Sequence, residues 1–330
     1  MVKLKIAFFE ITDLEKERYT KELSHHNLLF FEDKIQNVNI EEYKDCDIIS
    51  VFIYSKLTKE VINNCPNLKL VTTRSTGMDH IDYKYCAVKK IDVKNVPSYG
   101  ENTVAEHGMA LLLSLSRKIE KSMKRIREEK EFSTEGLQGF DLQDKTIGLI
   151  GGGRIGLHMA RMAKSFGMKV KVYDINKDDF MAQILGFTYC HLETLLKESD
   201  IISLHLPHNE DTHHMINKDT LNQMKDGVVI INTARGGLID TTSLLDAIES
   251  GKVSGAGLDV VEGEELLLEE GVFNKSLIKN AAKLIAQNHK LMANENVVVT
   301  PHNGFNSVEA VGRIFSTTLE NINEFIETNI

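Results

Sequence analysis

TIGLIGGGRIGLHMARMAKSFGMKVKVYD, residues 146–174, is the stretch whose reading decides the fold. An apolar run ends in Gly151, Gly153 and Gly156 at Gly-x-Gly-x-x-Gly spacing. A helical pattern with Met159, Met162 and Phe166 follows, and a second apolar run, Val170 to Tyr173, ends at Asp174. The order is strand, tight turn, helix, strand. The glycines serve three different ends. Gly151 permits the turn, Gly153 lets backbone N–H groups approach a pyrophosphate, and Gly156 allows close helix–strand packing. A glycine triplet alone is weak evidence, but here the flanking strand, helix and acid all agree with dinucleotide binding. Asp174, 18 residues beyond Gly156, falls where a carboxylate accepts the ribose hydroxyls. It would repel a 2′-phosphate, so the cofactor expected is NAD rather than NADP. Taken alone, Asp174 is equally compatible with a turn or helix cap.

The 330-residue length implies two domains with separate cores, and 42 % hydrophobic with 26 % charged residues places the chain among ordinary globular proteins. A net charge of -9 argues against nucleic acid as the main partner. Cys46, Cys65, Cys86 and Cys190 are too widely spaced for structural zinc and read as reduced, mostly buried thiols. The opening MVKLKIAFFEITDLEKE meets acids too early for a signal peptide or a membrane span, so a cytoplasmic location without membrane attachment is expected.

Toward the N-terminus, strands read at Leu4–Phe9, Leu28–Phe31, Asp47–Ile53, Leu68–Thr73 and Asp92–Val96, with helices at Asp13–Leu23 and Thr58–Cys65. Strands alternating with helices imply a parallel sheet. Leu68–Thr73 runs into Arg74 to Asp82, where N–H groups around Thr76 and Gly77 suit a small anion; a plain glycine turn is the other reading. A long helical stretch spans about Asn102 to Glu129. Its first half, TVAEHGMALLLSLS, is apolar on nearly every face and needs cover from interdomain packing or a second copy, so a homodimer is expected. Its charged second half reads as a solvated face.

Toward the C-terminus, strands read at Ile201–Leu204, Val228–Asn232, Gly255–Asp259 and Val297–Thr300, with a closing helix at Val308–Glu327. Three of these strands end in unusual residues: Thr233-Ala234-Arg235-Gly236-Gly237, Asp259 to Glu264, and Pro301-His302-Asn303-Gly304-Phe305. A cation, an acid and an imidazole thus gather on the ligand side of the sheet. Arg235 suits bidentate grip on a carboxylate, His302 suits proton exchange with a hydroxyl whose carbon gives up hydride, and Glu264 suits holding His302 and favouring its charged form. Separately, Arg235 has a duller reading as a surface ion pair, His302 as a structural histidine and Glu264 as a loop acid.

The glycine fingerprint with Asp174, the His205-Leu206-Pro207 segment with Thr212, the Asn232 to Gly236 run, the Asp259 to Glu264 run and Pro301-His302 together resemble the D-2-hydroxyacid dehydrogenase family. The likeness continues into Arg74 to Asp82 and Val96 to Tyr99. It implies an α/β fold of two doubly wound parallel-sheet domains, a flavodoxin-like substrate domain (1–99 plus 304–330) and a Rossmann NAD-binding domain (100–303), with a cleft between. It implies a catalytic trio of Arg235, Glu264 and His302. Cofactor contacts would fall on the three glycines, Arg154, Ile155, Asp174, His205, Pro207, Thr212, Thr233, Ala234, Arg235, Asp259 and His302. Substrate contacts would fall on Thr76, Gly77, Tyr99, Arg235, His302 and Phe305.

Glu262-Gly263-Glu264 and Phe305, three places after the histidine, are similar to the D-lactate dehydrogenase branch, which implies pyruvate and D-lactate as substrates. The segment Glu265 to Asn296 matches least. Rival readings are reduction of another 2-oxo acid, such as 2-oxoisocaproate, phenylpyruvate or hydroxypyruvate, and an NAD-sensing regulatory protein on the same fold. His205, His208, His213 and His214 fall within ten residues, but at a strand end and loop, so no metal is assigned.

Overall fold

The computed structural model describes residues 3–267 and 278–329. Residues 268–277, within the segment Glu265 to Asn296, lie outside them. The chain divides into two compact units, Met1–Tyr99 with Ser307–Ile330, and Gly100–Asn306.

The first unit holds a parallel sheet of β1 (Lys5–Phe9), β2 (Asn27–Phe31), β3 (Ile48–Val51), β4 (Leu70–Thr73) and β5 (Asp92–Lys94), in the order β2-β1-β3-β4-β5. This is the flavodoxin-like order, with its switch point between β1 and β3. Alternation along β1 explains the two cores: Ile6 and Phe8 face the helices Asp13–Glu22 and Val308–Asn329, while Ala7 and Phe9 join Tyr43, Cys46 and Cys86 on the other face. The C-terminal helix is fixed to this unit by Phe315, Ile322 and Phe325 in the core and by Asn321 Nδ2 donating to Asn95 O at 2.9 Å.

The second unit holds β6 (Thr146–Ile150), β7 (Lys169–Tyr173), β8 (Thr188–Tyr189), β9 (Ile201–Leu204), β10 (Val228–Asn232), β11 (Val253–Leu258) and β12 (Val297–Val299). The order is β12-β11-β10-β9-β6-β7-β8, all parallel, and the chain reverses its direction of growth between β6 and β9. Both faces of the sheet are covered, so β10 reads as an apolar run from Val228 to Ile231 and β9 is apolar but for the buried Ser203. Register then does something the sequence does not announce. Tyr173, Ile150, Leu204, Asn232, Leu258 and Val299 are successive partners across six strands. The residues that follow them, Asp174, Gly151, His205, Thr233, Asp259 and Thr300, therefore leave the carboxyl edge of the sheet in one row.

Three sequence expectations are corrected. The long helix is broken: Glu101–Ser116 ends, Lys118 takes a left-handed backbone (φ 51°), and Ile119–Lys124 restarts before a π-helical turn, Arg125–Glu129. The reason is remote in sequence: Phe140 N donates to Ser116 O at 2.9 Å and removes that carbonyl from the helical ladder. The apolar half needs neither a second domain nor a second copy, because Ala105, Met109, Leu111, Leu112 and Leu115 are buried within the unit among Met159, Ala163 and Ile231. Phe166, expected on the helix face of the fingerprint, is the C-cap of Arg154–Ser165 and 43 % exposed. Among the described residues no helix is long and apolar enough to cross a membrane.

Candidate active site

Gly151 and Gly156 meet the steric demands expected of them. Gly151 has φ 109°, and a Cβ there would lie 2.5 Å from His205 O; a Cβ on Gly156 would lie 2.1 Å from Gly151 O. Both positions exclude side chains because β6, β9 and the helix crowd together. At Gly153 the opposite holds: a Cβ would meet nothing within 4 Å. Gly153 is the N-cap of the helix Arg154–Ser165 and offers no side-chain cap, so the first amides of that helix are open to an acceptor. Asp174 accepts from Gly152 N at 2.6 Å and from Asn176 N at 2.7 Å, which makes it a brace of the turn as well as a carboxylate at the strand end.

Farther along the row, two polar atoms are buried without a partner among the described residues, Thr233 Oγ1 and His205 Nδ1. The His205 ring keeps only Ser203 Oγ at 3.0 Å, and burial pushes its pKa from 6.5 down to about 4. Thr212 Oγ1 donates to Pro207 O at 2.7 Å and ties the loop after β9; Pro207 itself is exposed. Arg154 is exposed and pairs with Glu101 at 3.2 Å. Open space at Gly153, a helix N-terminus without a side-chain cap and orphaned polar atoms in one row fit a dinucleotide.

His302 follows β12 in a left-handed backbone (φ 51°) and its Nδ1 donates to Glu264 Oε1 at 2.6 Å. An imidazole and a carboxylate separated by 38 residues are thus in direct contact. Arg235 stands at the head of the turn Gly236–Leu238, with Nη1 on Ala234 O at 2.7 Å, while Asn232 Oδ1 and Nδ2 bind Ala234 N and Arg235 O. That turn presses on the exit of β11, since a Cβ on Gly236 would lie 2.1 Å from Val261 C. Asp259 is 2 % exposed and accepts from Thr300 Oγ1, Asn303 N and Gly304 N at 2.6, 2.8 and 2.8 Å. Burial raises its pKa, but the bonds from His107, Thr300 and the two amides outweigh this and leave it below the ordinary carboxylate value. Phe305 is half-buried just beyond this loop.

In the first unit, Arg74 is 1 % exposed yet charged, and it donates to Phe9 O and Glu10 O, both at 2.7 Å. It fixes the base of the loop that carries Thr76 and Gly77. Ser75 Oγ donates to Gly77 O at 2.8 Å, and Thr76 Oγ1 to Val96 O at 2.9 Å. No described residue accepts from the Thr76 or Gly77 amide. Tyr99 is half-buried, with its carbonyl taking Arg313 Nε at 2.6 Å.

The histidine run after β9 forms pairs: His208 with His213 at 3.0 Å, and His214 Nε2 with Glu262 Oε1 at 2.7 Å. Among the described residues no group of three or more His, Cys, Asp or Glu has the geometry to hold a metal. Sequence reading passed over His107, whose Nε2 lies 2.8 Å from Thr300 Oγ1 and 3.2 Å from Asp259 Oδ1. Its one signal was an imidazole within a helix half that is apolar on nearly every face.

The family model described as D-isomer specific 2-hydroxyacid dehydrogenase, NAD binding domain, matches residues 109–304. The chain belongs to that family. It is an NAD-dependent oxidoreductase acting on 2-hydroxy acids. Similar proteins include an aromatic 2-oxoacid reductase of Clostridium sporogenes, 41 % identical over 81 % of this chain and 78 % of the relative. A hydroxypyruvate reductase of Thermotoga maritima is 39 % identical over 84 % of each. A D-lactate dehydrogenase from Aquifex aeolicus, solved with NAD and lactic acid, superposes with a TM-score of 0.89 at 37 % identity, covering 98 % of this dehydrogenase and 95 % of that chain.

Proposed function

We propose that this dehydrogenase reduces a small 2-oxo acid to the D-2-hydroxy acid, with pyruvate and D-lactate as the first pair. The observation that carries the reading is the 2.6 Å bond between Glu264 and His302 at the end of the row. Glu264, as an acceptor, fixes a proton on Nδ1, which assigns Nε2 to the substrate oxygen. In the reducing direction NADH supplies the hydride that reaches C2 of the substrate. His302 gives its proton to the oxygen on C2 and regains one from solvent. Arg235 orients the carboxylate and carbonyl by charge-assisted bonds, and the Thr76 and Gly77 amides add donors for the carboxylate. Tyr99 and Phe305 bound the substrate side chain.

The glycine turn, with Gly153 N and the first amides of its helix, holds the pyrophosphate, Asp174 the ribose hydroxyls, and Thr233 and Asp259 the nicotinamide end. Pyruvate is supported by the lactate-bound relative and by Glu262-Gly263-Glu264, whereas the aromatic 2-oxoacid reductase makes phenylpyruvate its main competitor. The test is NADH oxidation with pyruvate, 2-oxobutyrate, phenylpyruvate, 2-oxoisocaproate and hydroxypyruvate, and NAD reduction with each lactate enantiomer. Pyruvate with the highest kcat/KM and turnover of D-lactate alone support the reading; preference for another acid replaces the substrate, and turnover of L-lactate overturns the handedness.

We also propose a homodimer in the cytoplasm. Ile119, Met123 and Ile126, 45, 42 and 53 % exposed, offer an apolar strip on one helical segment, and four unpaired cysteines agree with a reducing compartment. Light scattering showing a monomer at micromolar concentration would remove the dimer.

A further inference from the structure

His107 stands outside the proposed proton and hydride transfers, yet it is bonded to the loop that performs them. It sits on the helix Glu101–Ser116, where its neighbours Ala105, Met109 and Leu111 are core residues. Thr300 Oγ1 lies 2.8 Å from His107 Nε2 and 2.6 Å from Asp259 Oδ1. A hydroxyl has one proton. Asp259, an ionised carboxylate, accepts it, so the Thr300 oxygen must accept from His107 and Nε2 must carry a hydrogen. Asp259 in turn takes three successive amides: its carbonyl receives His302 N, and its carboxylate receives Asn303 N and Gly304 N, all at 2.8 Å. This run includes the left-handed backbone of His302 (φ 51°), a conformation that persists only where its surroundings over-determine it. The fit is close, because a Cβ on Gly304 would lie 2.8 Å from Asp259 Oδ2.

We infer that His107 is a positioning residue: its Nε2–H, shared between Thr300 Oγ1 at 2.8 Å and Asp259 Oδ1 at 3.2 Å, holds the Thr300 hydroxyl and the Asp259 carboxylate together, and Asp259 holds the His302 loop in register for proton transfer. Without that donor the hydroxyl is free to turn from a carboxylate that is 2 % exposed, and the loop loses its anchor. The inference rests on the proposed reaction, in which the exact placement of His302 sets kcat while cofactor binding depends on the glycine turn.

The test compares His107→Leu, which keeps bulk without a donor, with His107→Gln, whose amide N–H reaches the place of Nε2, and with Thr300→Val. Measurements are kcat and KM for the preferred 2-oxo acid, NADH affinity by fluorescence and thermal melting. Expected is a kcat about tenfold to a hundredfold lower for His107→Leu, with NADH affinity within about threefold, since small misplacements of a reacting group act on turnover. His107→Gln should recover kcat to within about threefold of wild type. Thr300→Val should lose less than His107→Leu, because the direct contact of His107 with Asp259 survives it, and the double variant should lose little more than His107→Leu. Equal losses in Leu and Gln would reduce His107 to packing, and a loss confined to NADH affinity would make it a cofactor contact; either overturns the inference. If His107→Leu does not fold, Gln against Thr300→Val carries the same comparison. Wild-type protein that reduces no 2-oxo acid would overturn the proposed reaction, whereas active wild type matched by His107→Leu would overturn the positioning alone.

Discussion

Glu262 and Glu264 stand two residues apart, and each binds a histidine whose backbone is left-handed: His214 (φ 49°) at 2.7 Å and His302 (φ 51°) at 2.6 Å. The chemistry is the same, and the surroundings are not. Glu262 spends its second oxygen on the Thr241 hydroxyl at 2.9 Å, and its carbonyl accepts Asn288 Nδ2 at 2.9 Å. His214 donates its amide to Gly237 O at 2.9 Å and stacks on His213 with ring centroids 3.8 Å apart. The pair is bonded at both ends and ties the Arg235 turn to the β11 exit loop. Among the described residues the Glu264 side chain bonds His302, at the edge where the row of strand ends emerges. A carboxylate–imidazole pair becomes a brace when the scaffold uses both ends of it. The Glu264–His302 pair stands instead at the strand ends where the proposed reaction takes place.

The sharpest way to break this contrast is to remove the imidazole that Glu264 binds. His302→Gln is expected to lower turnover about 10²-fold to 10⁴-fold while NADH still binds, measured by steady-state rates beside fluorescence titration. Near-normal turnover would end the assignment of His302 as the proton donor. Glu264→Gln should lose about 10²-fold in kcat, at the lower end of that range, because an amide still orients the ring but no longer supports its charge. If Glu264→Gln matched wild type, the pair would be another brace.

His205 supplies the third case, an imidazole with no carboxylate at all. Its only described partner is Ser203 Oγ, and burial pushes its pKa from 6.5 to about 4, so the folded state prefers the neutral ring. The sign follows from proton binding. The unfolded chain binds the proton more readily, so the contribution to stability is complete above pH 6.5 and is lost as pH falls toward 4. The loss is on the order of 3 kcal/mol. Melting curves between neutral pH and pH 4 should therefore fall more steeply for wild type than for His205→Gln. Parallel curves would mean that the ring is protonated in the fold and that burial does not distinguish it from the paired histidines.

The sequence made the row's members legible and left its arrangement hidden. Gly151, Gly153, Gly156 and Asp174 announce themselves because a strand, a turn and a helix follow one another within 29 residues, and local spacing carries that information. Arg235, Glu264 and His302 stand out because charged groups directly follow apolar runs. The joining of Glu264 to His302, however, depends on pairing of β11 with β12, which local periodicity does not encode. Non-local bonds also explain what was missed. The helix break at Ser116 is set by Phe140 passing 24 residues later, β8 is two residues long with no run to show, and His107 meets Thr300 across 193 residues. Of the two readings of Asp174 the structure shows the turn role, since its carboxylate braces Gly152 and Asn176, and its remaining lone pairs are those the proposed ribose contact would use.

The smallest expected effect sits on the Glu262–His214 pair. Glu262→Gln keeps an oxygen for the Thr241 hydroxyl and an amide toward His214, so shape survives and charge does not. Because a charge-assisted bond is replaced by a neutral one, the cost should be about 1 kcal/mol of stability, seen as a melting temperature lower by a few degrees, with kcat within about threefold of wild type. Glu262 and His214 hold two loops against each other without meeting the reacting atoms, so a small loosening shifts how often the loops are in register and leaves the proton donor unchanged. A loss of turnover as large as that of Glu264→Gln, without loss of stability, would show that bonding to both oxygens does not separate brace from donor, and that the histidine run after β9 belongs to the chemistry.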